Sequence, residues 1–268
     1  MSDQIFKKRN MRSLRVPRAM QTIMALVLRE MATSYGRSPG GYLWAVAEPV
    51  AGIALLTFIF SLGFQAPPLG TSFALFYASG LVPFLIYSDL SGKLSQSINF
   101  SLPLLGYPRV TLADAVLARA LLNIITQTLV SCLILGGLLV LFATQATPNI
   151  AILAQAILLA FTFGFGVGTL NCFLVTRFPV WQRIWSIANR PMFLLCCIVF
   201  TFESIPMPFR DWLWFNPIVH VVGAMRQGLY FGYSGAYVSV TYVLFLSLGL
   251  SVLGFFLIWR FKDRLLNR

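Results

Sequence analysis

The chain has 268 residues, of which 58% are hydrophobic and only 10% are charged, and its mean hydropathy is +0.79. This composition excludes an ordinary soluble domain and indicates a membrane protein. The net charge of +12 does not indicate nucleic-acid binding, because the basic residues lie at the ends of apolar segments and form no stripe on a soluble module. Four cysteines within apolar stretches and a single histidine predict neither a disulfide framework nor a metal site.

The first predicted element is an amphipathic helix over residues 18–34. Its apolar residues recur at the spacing of one helical face, and these are Met20, Ile23, Met24, Val27, Leu28 and Met31. A helix of this kind lies along a membrane surface with its apolar face in the lipid. Contact with a cytoplasmic partner is the alternative, and the two are compatible.

Five segments are long and apolar enough to cross a bilayer, which requires about 20 residues per helix. They are residues 43–64, 73–92, 113–142, 150–176 and 237–259. The sequence therefore predicts an all-α polytopic membrane protein.

A sixth apolar region, residues 191–233, is too long for one helix and is interrupted by prolines and charged residues. Its first apolar piece, residues 192–205, reaches only about 20 Å as a helix, short of the ~30 Å hydrocarbon core. We expect this sixth span to start deep in the protein near Arg190 and to reach the outer face near Pro206. Short re-entrant helices over residues 212–233 would follow, near the transport path, because irregular backbone at membrane depth must pack in protein or line a cavity.

The basic residues predict the orientation of this six-span chain. With both termini in the cytoplasm, 18 of the 20 Lys and Arg residues fall in cytoplasmic segments, and only Arg210 and Arg226 fall in outer segments. This asymmetry follows the positive-inside rule. We therefore expect a cytoplasmic N-terminus with an interfacial helix (residues 1–34), a transmembrane domain (35–260) and a cytoplasmic tail (261–268).

The chain carries no motif for ATP hydrolysis or other catalysis. Its only Gly-Lys pair, Gly92-Lys93, is followed by Leu94 and lacks the earlier glycine of a phosphate-binding loop. His220 has no evident nucleophile partner in the sequence. The carboxylates sit apart near span ends, which disfavours a membrane enzyme, and these are Glu48, Asp89, Asp114, Glu203 and Asp211. We expect a chain that is not itself an enzyme and holds no cofactor.

Two groups of residues are candidates for substrate contact. Aromatic side chains offer flat apolar faces on which a ring-shaped ligand stacks, although the aromatic belt of a membrane protein is the alternative; the candidates are Tyr35, Tyr42, Trp44, Tyr77, Tyr87, Trp181 and Trp185. Charged residues near the cytoplasmic mouth attract an anionic linker or serve topology alone; they are Arg29, Arg37, Glu48, Arg177, Arg183 and Arg190. For Glu48, an ion pair with an arginine of the same fold is the alternative.

Four segments carry a resemblance that covers nearly the whole chain. REMATSYGRSPGGYLWAVAEP (residues 29–49) resembles the opening of type-2 ABC exporter permeases. GLVPFLIYSDLS (80–91), LLGYPRVTLADAVLARALL (104–122) and SIPMPFRDWLWFNPIVHVV (204–222) are similar, in order and spacing, to the permease of capsular polysaccharide exporters of Gram-negative bacteria. The phrase WFNPIVHVV is the most specific of these.

The resemblance implies the type-2 ABC exporter transmembrane fold and a complex. Its parts are a second copy of the chain, two copies of an ATPase that binds ATP and Mg, a lipid-linked polysaccharide, and periplasmic co-polymerase and outer-membrane export proteins. It implies a coupling helix that docks into the ATPase, with the residues Ser95, Gln96, Ser97, Asn99, Leu102, Leu104, Leu105 and Gly106. The interfacial helix would help form the cytoplasmic gate. Composition alone leaves the coupling segment an ordinary loop.

Other functions remain open at this point. A related permease for O-antigen or teichoic acid is the nearest alternative. A stand-alone channel or secondary transporter would need no ATPase and would show inverted repeats or buried charge relays, which the sequence does not display.

Overall fold

A computed structural model describes residues 18–34, 40–105, 110–142 and 148–266. These residues form α-helices and no strand, apart from one short 3₁₀ turn over Phe202–Ser204. The helices are α1 (Arg18–Ser34), α2 (Gly41–Gly63), α3 (Phe73–Ser95), α4 (Ser97–Leu105), α5 (Leu112–Leu141), α6 (Ile150–Arg177), α7 (Pro179–Leu195), α8 (Phe209–Trp214), α9 (Pro217–Leu229), α10 (Val240–Arg260) and α11 (Lys262–Leu266).

Five helices of the described chain are long and apolar enough to span a membrane, and they are α2, α3, α5, α6 and α10. Each coincides with a predicted span to within a few residues, so the five apolar helices lie where the sequence predicts them. Their ends follow ordinary capping chemistry. At the start of α5, for example, Thr111 and Asp114 form a reciprocal capping box, with hydrogen bonds of 3.1 and 3.0 Å.

Helix α3 is the centre of the molecule, because it packs against α2, α5, α6 and α9. Small residues allow its close approach to α6: a methyl group on Gly168 would come within 2.7 Å of the Leu94 Cβ atom. On the other side of α6, a methyl group on Gly166 would come within 2.5 Å of the Ser247 carbonyl oxygen in α10. Small residues at helix contacts are how membrane helices gain van der Waals contact where lipid offers no hydrophobic driving force.

The sixth predicted span is not a single helix. Helix α7 begins at Pro179 and ends at Leu195, so the prediction that the element starts near Arg190 is wrong. The reason is that α7 is amphipathic, and its first half was hidden from a search for apolar runs. It lies antiparallel to α3, since Asn189 meets Tyr87 while Phe193, further along, meets Phe84.

Beyond α7 the chain forms the short helices α8 and α9, in the region where re-entrant helices are predicted. The Asn216 side chain donates a hydrogen bond to the Leu195 carbonyl (3.0 Å), so α9 starts beside the end of α7. The other end of α9 lies at the start of α6, where the Asn149 amide donates to the Gly228 carbonyl (2.8 Å). With 13 residues, α9 is about 20 Å long and cannot cross the bilayer alone.

The interfacial helix α1 has the predicted bounds, but part of its apolar face does not meet lipid. Ile23 and Val27 pack against Ala118 and Leu122 of α5. The rest of that face is exposed, namely Met20, Met24, Leu28 and Met31. The helix is therefore both an exposed amphipathic element and part of the protein core.

Candidate functional site

A groove lined by both polar and apolar side chains lies between α3 and α7. It has a volume of about 440 Å³, and its polar lining consists of Ser88, Ser91, Ser95, Gln96, Gln182, Ser186, Asn189 and Arg190. Phe84, Trp185 and Phe193 add aromatic surface. The lining reaches from the middle of α3 to its last residues, so the groove follows the half of α3 that ends next to α4.

Asn189 fixes the geometry of the groove. Its Oδ1 atom accepts a hydrogen bond from the Tyr87 hydroxyl (3.3 Å), and its Nδ2 atom donates to the Ser88 hydroxyl (3.4 Å). Tyr87 is itself buried and stacks on Phe163 with ring centroids 5.1 Å apart. Tyr87, a predicted substrate contact, therefore acts here as a support for the groove wall.

The two tryptophans of α7 have different positions. Trp181 is an anchor, because its indole N–H donates to the Asn171 side chain of α6 (2.9 Å). Trp185, half-buried, lines the groove and presents aromatic surface to it. Arg190 lines the groove as an exposed cation, whereas Arg183 is exposed on the same helix without lining it.

A second, smaller cavity lies where α2, α3 and α5 meet. Its volume is about 260 Å³, and Trp44, Glu48, Asp89, Lys93 and Gln127 line it. The Gln127 side chain donates a hydrogen bond to Asp89. Glu48 is exposed at this cavity, and it makes no ion pair with an arginine of the described residues.

A charged cluster joins α1, α4 and α5. Glu30 pairs with Arg119 at 2.9 Å. The Arg119 guanidinium lies 4.5 Å from the Phe100 ring centroid of α4, and Arg29 lies 5.8 Å from the same ring. Burial raises the pKa of Glu30, although Arg119, Lys93 and Arg29 pull it down.

The predicted coupling segment contains a helix, α4, over Ser97–Leu105. Ser95 and Ser97 are buried, Gln96 and Leu104 are half-buried, and only Asn99 and Leu102 of the predicted contacts are exposed. The helix therefore presents one narrow face outward, and its other face packs against α5 and α6.

The remaining predicted residues are dispersed. Tyr77 is buried at 1% exposure among Phe60, Phe73 and Phe76. Arg177 is exposed at the end of α6, with its guanidinium 5.3 Å from the Phe178 ring centroid. Other predicted residues lie outside the described part of the chain, either entirely or in their side chains: Tyr35, Arg37, Gly106, Tyr42 and Leu105.

Sequence reasoning missed the serine and asparagine side chains of the groove. A signal was available, because Ser88, Ser91 and Ser95 follow one another at spacings of three and four residues on an otherwise apolar span. That spacing places them on one helical face. Asn189 and Gln182 carried no comparable periodic signal.

Five helices long and apolar enough to span a membrane, with a groove beside them that carries polar side chains, are an arrangement suited to a transmembrane transporter subunit. The chain belongs to the ABC-2 type transporter family, which matches residues 21–230. It is 33% identical to the polysialic acid transport protein KpsM of Escherichia coli over 229 residues, covering 85% of this chain and 88% of that protein.

Two other relatives extend the comparison. The capsule polysaccharide export inner-membrane protein CtrC of Neisseria meningitidis is 28% identical, over 90% of this chain and 91% of CtrC. The capsule polysaccharide export inner-membrane protein BexB of Haemophilus influenzae is 25% identical over the same shares. Each alignment is long enough to include most of the spans described above.

Proposed function

We propose that this chain is the permease subunit of an ATP-driven exporter that moves lipid-linked capsular polysaccharide across a bacterial inner membrane. The observation that carries the proposal is similarity over at least 85% of the chain to proteins named for polysialic acid transport and capsule polysaccharide export. The fold supports it, because a groove rich in hydroxyl and amide groups borders a span beside re-entrant helices.

The groove has the chemistry that a polysaccharide requires. Serine hydroxyls and the amides of Gln182 and Asn189 donate and accept hydrogen bonds, as sugar hydroxyls do. Trp185 offers an apolar face for a sugar ring, and Arg190 offers a charge-assisted bond to an acidic sugar or a phosphate linker. The groove is thus a candidate segment of the substrate path, and the other predicted aromatic and charged contacts remain proposals.

The motor would be a separate ATPase that binds ATP and Mg and docks on α4. The exposed residues Asn99, Leu102 and Pro103 form the face available to it. A push on α4 would reach the interfacial helix through Phe100, Arg119 and Glu30, because these side chains join α4, α5 and α1. Movement of α1 would then change access at the cytoplasmic gate.

A second copy of the chain would complete the path. Helix α2 exposes Leu43, Phe58 and Leu62, and α7 exposes Val180 and Ile187. Such apolar faces meet lipid or another protein chain, and pairing of two copies there would enclose the groove. Both termini would lie in the cytoplasm, and periplasmic co-polymerase and outer-membrane proteins would continue the path.

Deletion of the gene, followed by an assay of surface polysaccharide, tests the proposal. We expect the capsule to disappear and polymer to accumulate inside the cell, with recovery when the chain is reintroduced. Unchanged capsule without intracellular polymer would overturn the proposal. A matched pair tests the groove: Arg190→Gln should reduce export, while Arg260→Gln, an exposed arginine at the end of α10 and outside the groove, should not.

A further inference from the structure

Arg226 of α9 is wholly buried and is held by neutral groups. Its Nη1 atom donates to the Phe200 carbonyl (3.0 Å) and its Nη2 atom to the Ile198 carbonyl (3.1 Å). Its Nε atom donates to the Ser79 hydroxyl of α3 at 3.4 Å. The guanidinium also lies 4.4 Å from the Phe76 ring centroid. The sequence assigned this residue to an outer segment, and the structure adds that its side chain is buried.

The two carbonyls belong to the turn that interrupts the sixth crossing, residues 196–200. Helix α7 ends at Leu195, and Cys197 then adopts a left-handed backbone conformation with φ of 58°. A side chain other than glycine in this region is strained and persists only where the surroundings hold it. Arg226 stabilises this conformation, because it binds the carbonyls of Ile198 and Phe200, one and three residues after Cys197.

Close approach to α3 fixes the same turn from the other side. A methyl group on Gly80 would come within 2.9 Å of the Ile198 Cα atom, so only glycine leaves room for the turn at this height of α3. Arg226 therefore connects three elements at one point: α9, the 196–200 turn and α3.

A buried guanidinium is costly, since it stays charged and must leave water. Among the described residues, no carboxylate lies within ion-pair distance of Arg226. Backbone carbonyls, a hydroxyl and an aromatic ring instead satisfy it, which is the arrangement expected where the charge organises irregular backbone at membrane depth.

We propose that Arg226 is a positioning residue that locks the 196–200 turn and the helix α9 against α3, and that export requires this lock. The consequence for export rests on the proposed function. The opening of the turn does not, so the two can fail separately.

The turn carries its own reporters, because Cys196 and Cys197 are both fully buried. Alkylation by N-ethylmaleimide, resolved for each cysteine by mass spectrometry on the full-length chain purified with its ATPase, measures how often the turn opens. Cys172, fully buried in α6, reports general unfolding in the same sample. Arg226→Met removes the donors and keeps an apolar stem, Arg226→Lys keeps the charge, and Arg210→Met is a matched control in α8.

We expect Arg226→Met to label Cys197 roughly tenfold faster than the native chain, because loss of charge-assisted hydrogen bonds favours local opening. Cys172 should stay unlabelled, Arg226→Lys should be intermediate, and Arg210→Met should match the native chain. Gly80→Ala should also expose Cys197, since it displaces Ile198 without touching the charge. ATP hydrolysis should continue in Arg226→Met while export falls.

Two results would overturn the proposal. One is unchanged labelling of Cys196 and Cys197 in a folded Arg226→Met complex. The other is equal labelling of Cys172, which would assign Arg226 to general stability. If Arg226→Met speeds the labelling of Cys197 but the complex transports an unrelated substrate, the positioning role of Arg226 stands. Only the proposed function is then rejected.

Discussion

The ion pair between Glu30 and Arg119 should show strong energetic coupling when each partner is replaced alone and then both are replaced together. Both side chains are mostly buried, with exposures of 10% and 12%, and their charged atoms lie 2.9 Å apart. Removing one partner of a buried pair leaves the other charge buried and unpaired, whereas removing both leaves no unpaired charge. Arg119→Met should therefore destabilise the chain more than the double variant with Glu30→Met.

The magnitude has an upper bound. When Arg119 is removed, Glu30 can become neutral by binding a proton. For a carboxyl of ordinary pKa 4.5, protonation at pH 7 costs about 3.4 kcal/mol, at about 1.36 kcal/mol for each pH unit. Lys93 and Arg29 still attract the carboxylate, so the loss should be smaller. We expect Arg119→Met to cost about 2 kcal/mol and the coupling energy of the pair to be of similar size.

Unfolding of the detergent-purified complex, followed for the native chain, both single variants and the double variant, measures this coupling. If the two single-variant losses simply add in the double variant, the pair is not coupled and the reasoning fails. Arg183→Met serves as the control, since this exposed residue of α7 makes no ion pair with a described residue.

The pH dependence of the same cluster has a definite sign. Because burial raises the folded-state pKa of Glu30 above its ordinary value, the folded protein holds this proton more tightly than the unfolded chain does. The resulting stabilisation is complete below about pH 4.5 and is lost as the pH rises through the folded pKa. Relative to Glu30→Gln, the native chain should gain free energy of unfolding as the pH falls from 7 to 4.5. A difference that stays constant would contradict this assignment.

Three further predictions address the groove, the helix contacts and the motor. Trp185→Ala should reduce polysaccharide export roughly tenfold while Trp185→Phe retains most of it, because stacking needs an aromatic face; equal loss in both would argue against stacking. Gly168→Leu should lower the unfolding free energy by about 1–3 kcal/mol, since its Cβ would meet Leu94 at 2.7 Å, and an unchanged unfolding midpoint would refute the contact. Leu102→Asp should abolish co-purification of the ATPase without lowering the abundance of the chain, and full recovery of the ATPase would exclude α4 as its docking site.

The sequence predicted the spans well because length and hydropathy decide them. It also predicted α1 with its observed bounds, since Met20, Ile23, Met24 and Val27 follow a helical period. It failed at α7, where a polar face and an apolar face share one helix and an apolar-run search sees only the last turns.

The WFNPIVHVV phrase shows what pattern reading leaves out. Asn216 caps α9 by accepting from the Ile218 amide (3.1 Å), and its other side-chain atom reaches back to Leu195. His220 contacts the Trp214 carbonyl through Nε2 at 2.7 Å and accepts at Nδ1 from the Ser239 amide at 3.1 Å. These bonds join residues up to 21 positions apart, so they follow from the fold and not from local spacing.

The groove was predictable only in part. Trp185 and Arg190 were chosen for their chemistry and do line it, whereas Tyr77 had the same chemistry and lies in the core. Residue type alone does not tell a groove wall from a buried contact, because both use aromatic rings. The burial of Arg226 was also not predictable from the sequence, because a charged residue near a predicted outer loop is interpreted as a signal for membrane orientation.

Transport by the purified complex in proteoliposomes tests the central claim most directly. The vesicles would contain this chain and its ATPase, with the ATP-binding side outward, and would receive radiolabelled lipid-linked capsular polysaccharide and Mg-ATP. The account predicts polymer that becomes protected inside the vesicles only when ATP is hydrolysed. Active hydrolysis without protected polymer, or protection that needs no ATPase, would contradict it.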